Sequence, residues 1–142
     1  MNNLTSKRKT GNLGEDLACR FLMKHDFDII NRNYLKKCGE IDIIAKKESK
    51  LHFIEVKSVS CEIQSNTSDQ LEQAINDDNG VFRPEDNIHP WKLQRLARTI
   101  QVYLAEKNMS ENETNWQFDV ITVYIDKKRL ISRVNLLENI IL

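Results

Sequence analysis

The 142-residue sequence contains few of the residues that would mark a specialised scaffold: three cysteines, two prolines and four glycines. Cys19, Cys38 and Cys61 are widely spaced and form no Cys-x-x-Cys pair, so zinc-ribbon and thioredoxin-like frameworks are excluded and reduced thiols in a cytoplasmic setting are expected. Scarce Gly and Pro exclude collagenous and low-complexity chains. No apolar run approaches the roughly 20 residues that a membrane span requires, so no membrane role is expected. Met1 to Thr10 is polar and basic with no apolar stretch behind it, which does not read as a secretory signal. The Asn-x-Ser/Thr matches at Asn3, Asn66, Asn108 and Asn112 therefore carry no expectation of glycosylation.

Net charge is also missing, with 21 basic residues against 21 acidic ones. The distribution is nevertheless uneven: net +4 over residues 1–50, −6 over 51–90 and +2 over 91–142. Local fields steer a polyanion, so this composition permits a nucleic-acid partner without arguing for one. A chain with 40% hydrophobic and 30% charged residues fits one compact domain over residues 11–142, preceded by a basic flexible tail at 1–10.

Leu13, Leu17, Ala18, Phe21 and Leu22 recur at helical spacing and predict a helix over Gly11 to His25. Phe27 to Tyr34 reads as a strand. Gly39 to Ala45 and Leu51 to Lys57 read as a hairpin around the polar loop Lys47 to Lys50. Residues 60–89 form an acidic insertion with a turn at Asp77-Asp78-Asn79-Gly80 and room for a short helix near Leu71 to Ile75. Pro90 opens a second helix with Leu93, Leu96, Ala97, Ile100 and Leu104 as its apolar stripe. Phe118 to Ile125 and Arg129 to Leu137 complete a mixed α/β order.

The hairpin defines a register. If Lys46 pairs with Leu51, then Asp42 lies opposite Glu55 and Glu40 opposite Lys57 on one face. Ile41, Ile43, Ala45, Ile54 and Val56 make the other, apolar face, with His52 as its one polar member, a satisfied strand residue. Directly opposed carboxylates repel each other, and a lysine or a divalent cation offsets that. Asp42, Glu55 and Lys57 therefore suit metal-assisted phosphodiester hydrolysis. The competing account is a solvated face carrying a Glu40–Lys57 ion pair. Asp/Glu-x-Lys by itself decides nothing, since it recurs at Glu48 and Asp126.

Glu15 lies at the margin of the first helix's buried stripe and, taken alone, reads as complementing the helix dipole. On the second helix Lys92, Arg95 and Thr99 share a side, with Arg98 nearby, and fit a phosphate contact and a solvated face equally well. Trp91 reads as a packed hydrophobic staple in preference to a base-stacking residue.

Gly11-Asn12-Leu13-Gly14-Glu15-Asp16-Leu17-Ala18, Asn31-Arg32-Asn33-Tyr34, Gly39-Glu40-Ile41-Asp42-Ile43-Ile44-Ala45, Phe53-Ile54-Glu55-Val56-Lys57-Ser58, Pro90-Trp91-Lys92-Leu93-Gln94-Arg95-Leu96 and Phe118-Asp119-Val120 together resemble the bacterial YraN family. That family is similar to Holliday-junction resolvases and the wider PD-(D/E)xK nucleases. The resemblance implies an α/β, restriction-endonuclease-like fold with a central mixed sheet flanked by helices. It implies an endonuclease acting on DNA, branched DNA included, with Mg²⁺ or Mn²⁺ held by Asp42, Glu55 and the Val56 carbonyl. By the same resemblance Lys57 positions water or stabilises the charged phosphate, Glu15 completes the site, and Lys92 meets phosphate. The insertion at 60–89 is longer than the family's usual connection, and its charge would suit a gate or a protein partner. Action on a junction would call for a homodimer with two symmetric sites. The rival expectations are a nucleic-acid-binding module without turnover and a protein-interaction domain using the acidic loop.

Overall fold

The computed structural model describes residues 6–63, 89–110 and 113–142. The expected turn at 77–80, the short helix near 71–75 and most of the acidic insertion lie outside them. Helix α1 (Ser6–Lys24) is followed by strands β1 (Asp28–Lys36), β2 (Gly39–Lys47) and β3 (Lys50–Ser60), helix α2 (Pro90–Glu106), and strands β4 (Trp116–Asp126) and β5 (Ile131–Leu137). The five strands form one sheet in the order β1-β2-β3-β4-β5. Every neighbouring pair is antiparallel except β3 and β4, whose parallel pairing requires the crossover that carries α2. The result is the mixed sheet flanked by helices of a restriction-endonuclease-like fold.

Burial is greatest toward the middle of the sheet, where both strand faces are covered. β4 is buried from Gln117 to Asp126, whereas the edge strands β1 and β5 stay largely exposed or half-buried. Successive side chains on a strand alternate between two cores. On one face Tyr34, Ile44, Phe53, Phe118 and Val120 pack against Leu96, Ile100, Tyr103 and Leu104 of α2. On the other, Ile43, Ala45, Ile54, Ile121 and Val123 pack against Ala18, Cys19 and Leu22 of α1.

The hairpin register matches the expected one. Lys46 pairs with Leu51 and Ile43 with Ile54, around a tight turn in which Glu48 adopts φ 56°. Lys47 and Lys50 pair as well, so the loop is shorter than the Lys47-to-Lys50 loop read from the sequence. The ladder ends at Ile43↔Ile54, and there the simple alternation fails: Ile41 joins the α2-side core instead of the face of Ile43 and Ala45.

Helix α1 begins at Ser6, earlier than Gly11. Leu13, expected in its stripe, is exposed, and Gly14 takes the buried position. Gly14 is a close-approach residue: a Cβ there would lie 1.8 Å from Ser58 Oγ and 3.0 Å from Ser58 Cβ. A Gly14→Val protein is expected to lose about 1–3 kcal/mol in urea unfolding through overpacking against β3. Helix α2 starts as its sequence announces, with His89 as N-cap and Pro90 in the first turn. Its buried side is set by Leu96, Thr99, Ile100, Tyr103 and Leu104. Thr99 is thus a core residue, not a member of the basic face. Its hydroxyl donates to Arg95 O at 2.7 Å and lies 3.4 Å from Cys38 Sγ.

Candidate active site and metal centre

The β2–β3 ladder stops at Ile43↔Ile54, one residue before Asp42 and Glu55. Beyond that point the Val56 N–H donates to Asp42 Oδ2 at 2.8 Å, so the side chain takes a backbone donor at the end of the ladder. Glu55 is buried and accepts from Lys92 Nζ at 2.6 Å, a contact reaching from α2 to β3. Lys57 follows on the same face, next to Lys92. Asn12 and Glu15 of α1, Val56 and Lys57 of β3, Asp42 of β2, and Trp91, Lys92 and Arg95 of α2 all line one cleft of about 1310 Å³. Lys127, from the turn between β4 and β5, lines it too.

Electrostatics in the cleft are strongly perturbed. Burial, and then the neighbouring Glu55 charge, push Asp42 far above the usual carboxylate range, up to about 8, although the Val56 amide pulls the other way. Burial also raises Glu15, opposed by the Arg32 guanidinium. Burial lowers the Lys57 ammonium, and the adjacent Lys92 charge lowers it further. Burial opposes the charge on Lys92, but the hydrogen bond and charge of Glu55 prevail and raise it. Like-charge acids and paired lysines held together in a cleft are the kind of arrangement that functional sites maintain at a cost in stability.

Do these residues fit a divalent cation? Asp42 and Glu55 offer hard oxygen donors, which Mg²⁺ and Mn²⁺ prefer. The Lys92 ammonium sits on Glu55 Oε1 where a cation's charge would serve the same purpose. Glu15 Oε1 is buried without a hydrogen-bond partner, its closest cation being Arg32 at 3.8 Å. The fit is good for Asp42 and Glu55, with Glu15 beside them in the cleft. Glu15 is steered partly away, because Arg32, which donates to Asp16 at 2.9 Å, also attracts it. Among the described residues no Glu40–Lys57 ion pair forms, and the partner taken by the carboxylates comes from α2 instead.

Arg95 lines the cleft, with its Nε donating to Cys38 O at 3.1 Å. Trp91 is not the packed staple expected from the sequence: it is 51% exposed and lines the cleft beside Lys92. Of the two readings open for Trp91, packing or stacking, the exposed ring is the arrangement a stacking residue requires.

A second polar cluster escaped the sequence reading except at His52. His52 Nδ1 lies 2.6 Å from Asp119 Oδ2, and Asp119 Oδ1 accepts from Gln117 Nε2 at 2.8 Å and from the Asn139 N–H at 2.9 Å. Among the described residues, His52, Asp119 and Glu138 are the one group of three whose ligand atoms gather within 4.8 Å. Both oxygens of Asp119 are already engaged, so the cluster pins the C-terminal segment to β3 and β4. An acid inside the β-branched run Phe118 to Ile125 was the available clue. Asp119→Ala is expected to cost about 3–5 kcal/mol in urea unfolding, as for a buried pair that loses one partner.

Comparison with known proteins matches residues 14–123 to the uncharacterised protein family UPF0102. A UPF0102 protein of Campylobacter lari is 38% identical over 122 residues, covering 86% of this chain and 89% of the relative. One from Campylobacter hominis is 35% identical over 128 residues, covering 90% and 95%. One from Caldicellulosiruptor bescii is 29% identical over 132 residues, covering 93% and 96%. The matched span holds Glu15, Asp42, Glu55, Lys57 and Lys92, the side chains that converge on the cleft. On this evidence the chain belongs to the uncharacterised protein family UPF0102, the YraN family that its motifs resemble.

Proposed function

We propose that the protein is a metal-dependent endonuclease-like hydrolase of phosphodiester bonds, with DNA as its substrate. The observation that carries this reading is the neighbouring pair Asp42, half-buried, and Glu55, buried, just past the end of a β-ladder, with Lys57 and Lys92 against it. A solvated sheet face would not bury Glu55 and withdraw Asp42 from water far enough to push it well above its usual range. The bound Mg²⁺ or Mn²⁺ would supply charge neutralisation at the scissile phosphate and a more acidic water.

The chain's own residues do the rest. Asp42 and Glu55 would hold the cation from two adjacent strands, and the Val56 amide fixes the Asp42 carboxylate in place. Lys57, an ammonium on a stiff central strand, meets the attacking water or the phosphate oxygen whose charge grows as the P–O bond breaks. Lys92, placed against Glu55 by the first turn of α2, would offer its charge to phosphate, and Arg95 extends the basic wall. Glu15 adds a further acceptor from α1.

Among the described residues no helix is long and apolar enough to cross a membrane, and Cys19, Cys38 and Cys61 are free. A cytoplasmic setting agrees with both. The direct test is incubation of the purified protein with Mg²⁺ or Mn²⁺ and labelled single-stranded, duplex, flap and four-way-junction DNA. Cleavage is expected in the wild type and its loss in Lys57→Ala and Glu55→Ala. Cleavage unchanged in both variants would overturn the reading. No cleavage by any of the proteins, with DNA still bound, would favour a binding module without turnover.

A further inference from the structure

The basic side chains of the cleft, Lys57, Lys92, Arg95 and Lys127, suit a phosphate backbone, which every nucleic acid offers alike. Trp91 is different in kind. It is a large apolar ring, half exposed at the start of α2, in a cleft whose other side chains are mostly charged or polar. Exposing such a ring forgoes the burial that most tryptophans obtain. Arg95 Cζ sits over the ring at 5.6 Å from its centroid and the tilted His89 ring is 5.7 Å away at 46°, yet the side chain keeps half of its surface open to solvent.

Position gives the ring its meaning. Trp91 precedes Lys92, so their Cα atoms are about 3.8 Å apart. Lys92 Nζ is 2.6 Å from Glu55 Oε1. The ring therefore lines the same cleft as the carboxylates, one residue from the lysine that touches Glu55, on the path a nucleotide beside the scissile phosphate would take. Inside an intact duplex both faces of each base are covered by neighbouring bases, and a protein reaches only the edges in the grooves. An aromatic ring can stack only on a base with a bare face, and such stacking is largely indifferent to base identity.

We propose that Trp91 is a stacking platform that selects nucleic acids with an unpaired nucleotide adjacent to the scissile phosphate. This rests on the nuclease reading above and adds substrate class to it. Arg95, over the ring and hydrogen-bonded to Cys38 O, holds the indole from one side and supplies cation–π support to the stack. Intact duplex would meet only the basic wall.

The test measures binding in EDTA, where no turnover occurs, with the full chain. Fluorescein-labelled dT12 and rU12 report affinity by anisotropy. Covalently closed relaxed plasmid, which has no ends, serves as the duplex competitor. Trp91→Ala is expected to weaken binding of at least one single strand roughly 5- to 100-fold, with plasmid affinity changed less than twofold. The salt dependence should keep its slope, since no ion pair with phosphate is lost. Trp91→Phe should recover most of the affinity. In a Trp116→Phe background, the remaining Trp91 fluorescence should be quenched by the single strand and not by plasmid.

If the dT12 strand alone shows this pattern, the platform reads DNA; if rU12 alone, RNA; either result supports the proposal. Equal loss on single strand and plasmid, or no loss on either single strand, overturns it. The two proposals fail separately. Trp91-dependent binding without cleavage would sink the nuclease reading alone. Lys57-dependent cleavage, with single-strand binding indifferent to Trp91, would sink the platform alone.

Discussion

Replacing Asp42 by Asn is expected to make the metal-free protein more resistant to heat at pH 8, not less. The folded state holds Asp42 at about 8, against an ordinary carboxylate value of 3.8. A group raised on folding binds its proton more tightly in the native state than in the unfolded one. Its contribution to stability is complete below the unfolded value and is lost as pH climbs to about 8. Asn keeps an oxygen for the Val56 amide and carries no charge beside Glu55, so it escapes that loss. The expected gain at pH 8 is on the order of a few kcal/mol, or roughly 5–10 °C in melting temperature. At pH 4 the two proteins should melt together. Millimolar Mn²⁺ should raise the wild-type melting temperature and leave that of Asp42→Asn unmoved. Differential scanning fluorimetry across pH 4–9, with and without Mn²⁺, reads all of this on one plate. A wild type as stable as the variant at pH 8 without metal would contradict the burial of the Asp42 charge.

The same proton governs metal affinity. A cation must displace it below pH 8, so the apparent affinity for Mn²⁺ should rise up to tenfold per pH unit toward pH 8 and level off above.

The second large effect belongs to Lys57. Removing its ammonium takes away charge that matters most as the phosphate's own charge grows, so kcat should fall more than KM rises. Lys57→Ala is expected to slow hydrolysis about 10³-fold, in the range found when one preorganised donor to a developing anion is removed. It should leave Mn²⁺ binding intact, because Lys57 holds no cation and Asp42 and Glu55 remain. Single-turnover rates against saturating substrate separate the two effects. A Lys57→Ala protein that cleaved at the wild-type rate would remove this residue from the chemistry.

The site was legible in the sequence to the extent that local pairing builds it. Asp42, Glu55 and Lys57 sit on a hairpin whose register follows from the turn and the apolar alternation, and Ile43↔Ile54 and Lys46↔Leu51 pair as that register requires. What the hairpin could not reveal is what α1 and α2 bring to it. Lys92 read as one of several charges on an exposed helix face, and the contact with Glu55 exists because the crossover sets the first turn of α2 over that carboxylate. Thr99 read as part of the same face and is instead buried beside Gly39, where a Cβ would come within 2.8 Å of its hydroxyl. Ile41 departs from strand alternation because β2 leaves its partner after Ile43. Leu13 and Gly14 exchange their expected places because Ser58 leaves no room for a side chain where α1 crosses β3. Each miss is a tertiary contact overriding a correct local periodicity.

The measurement that bears most directly on the central claim is calorimetric titration of Mn²⁺ into the wild-type protein and into Asp42→Asn and Glu55→Gln at pH 8. Saturable binding to the wild type, lost in both variants while each remains folded, is the expected result. No binding to the wild type, or binding that survives both substitutions, would contradict a cation site between β2 and β3, and the nuclease reading would fall with it.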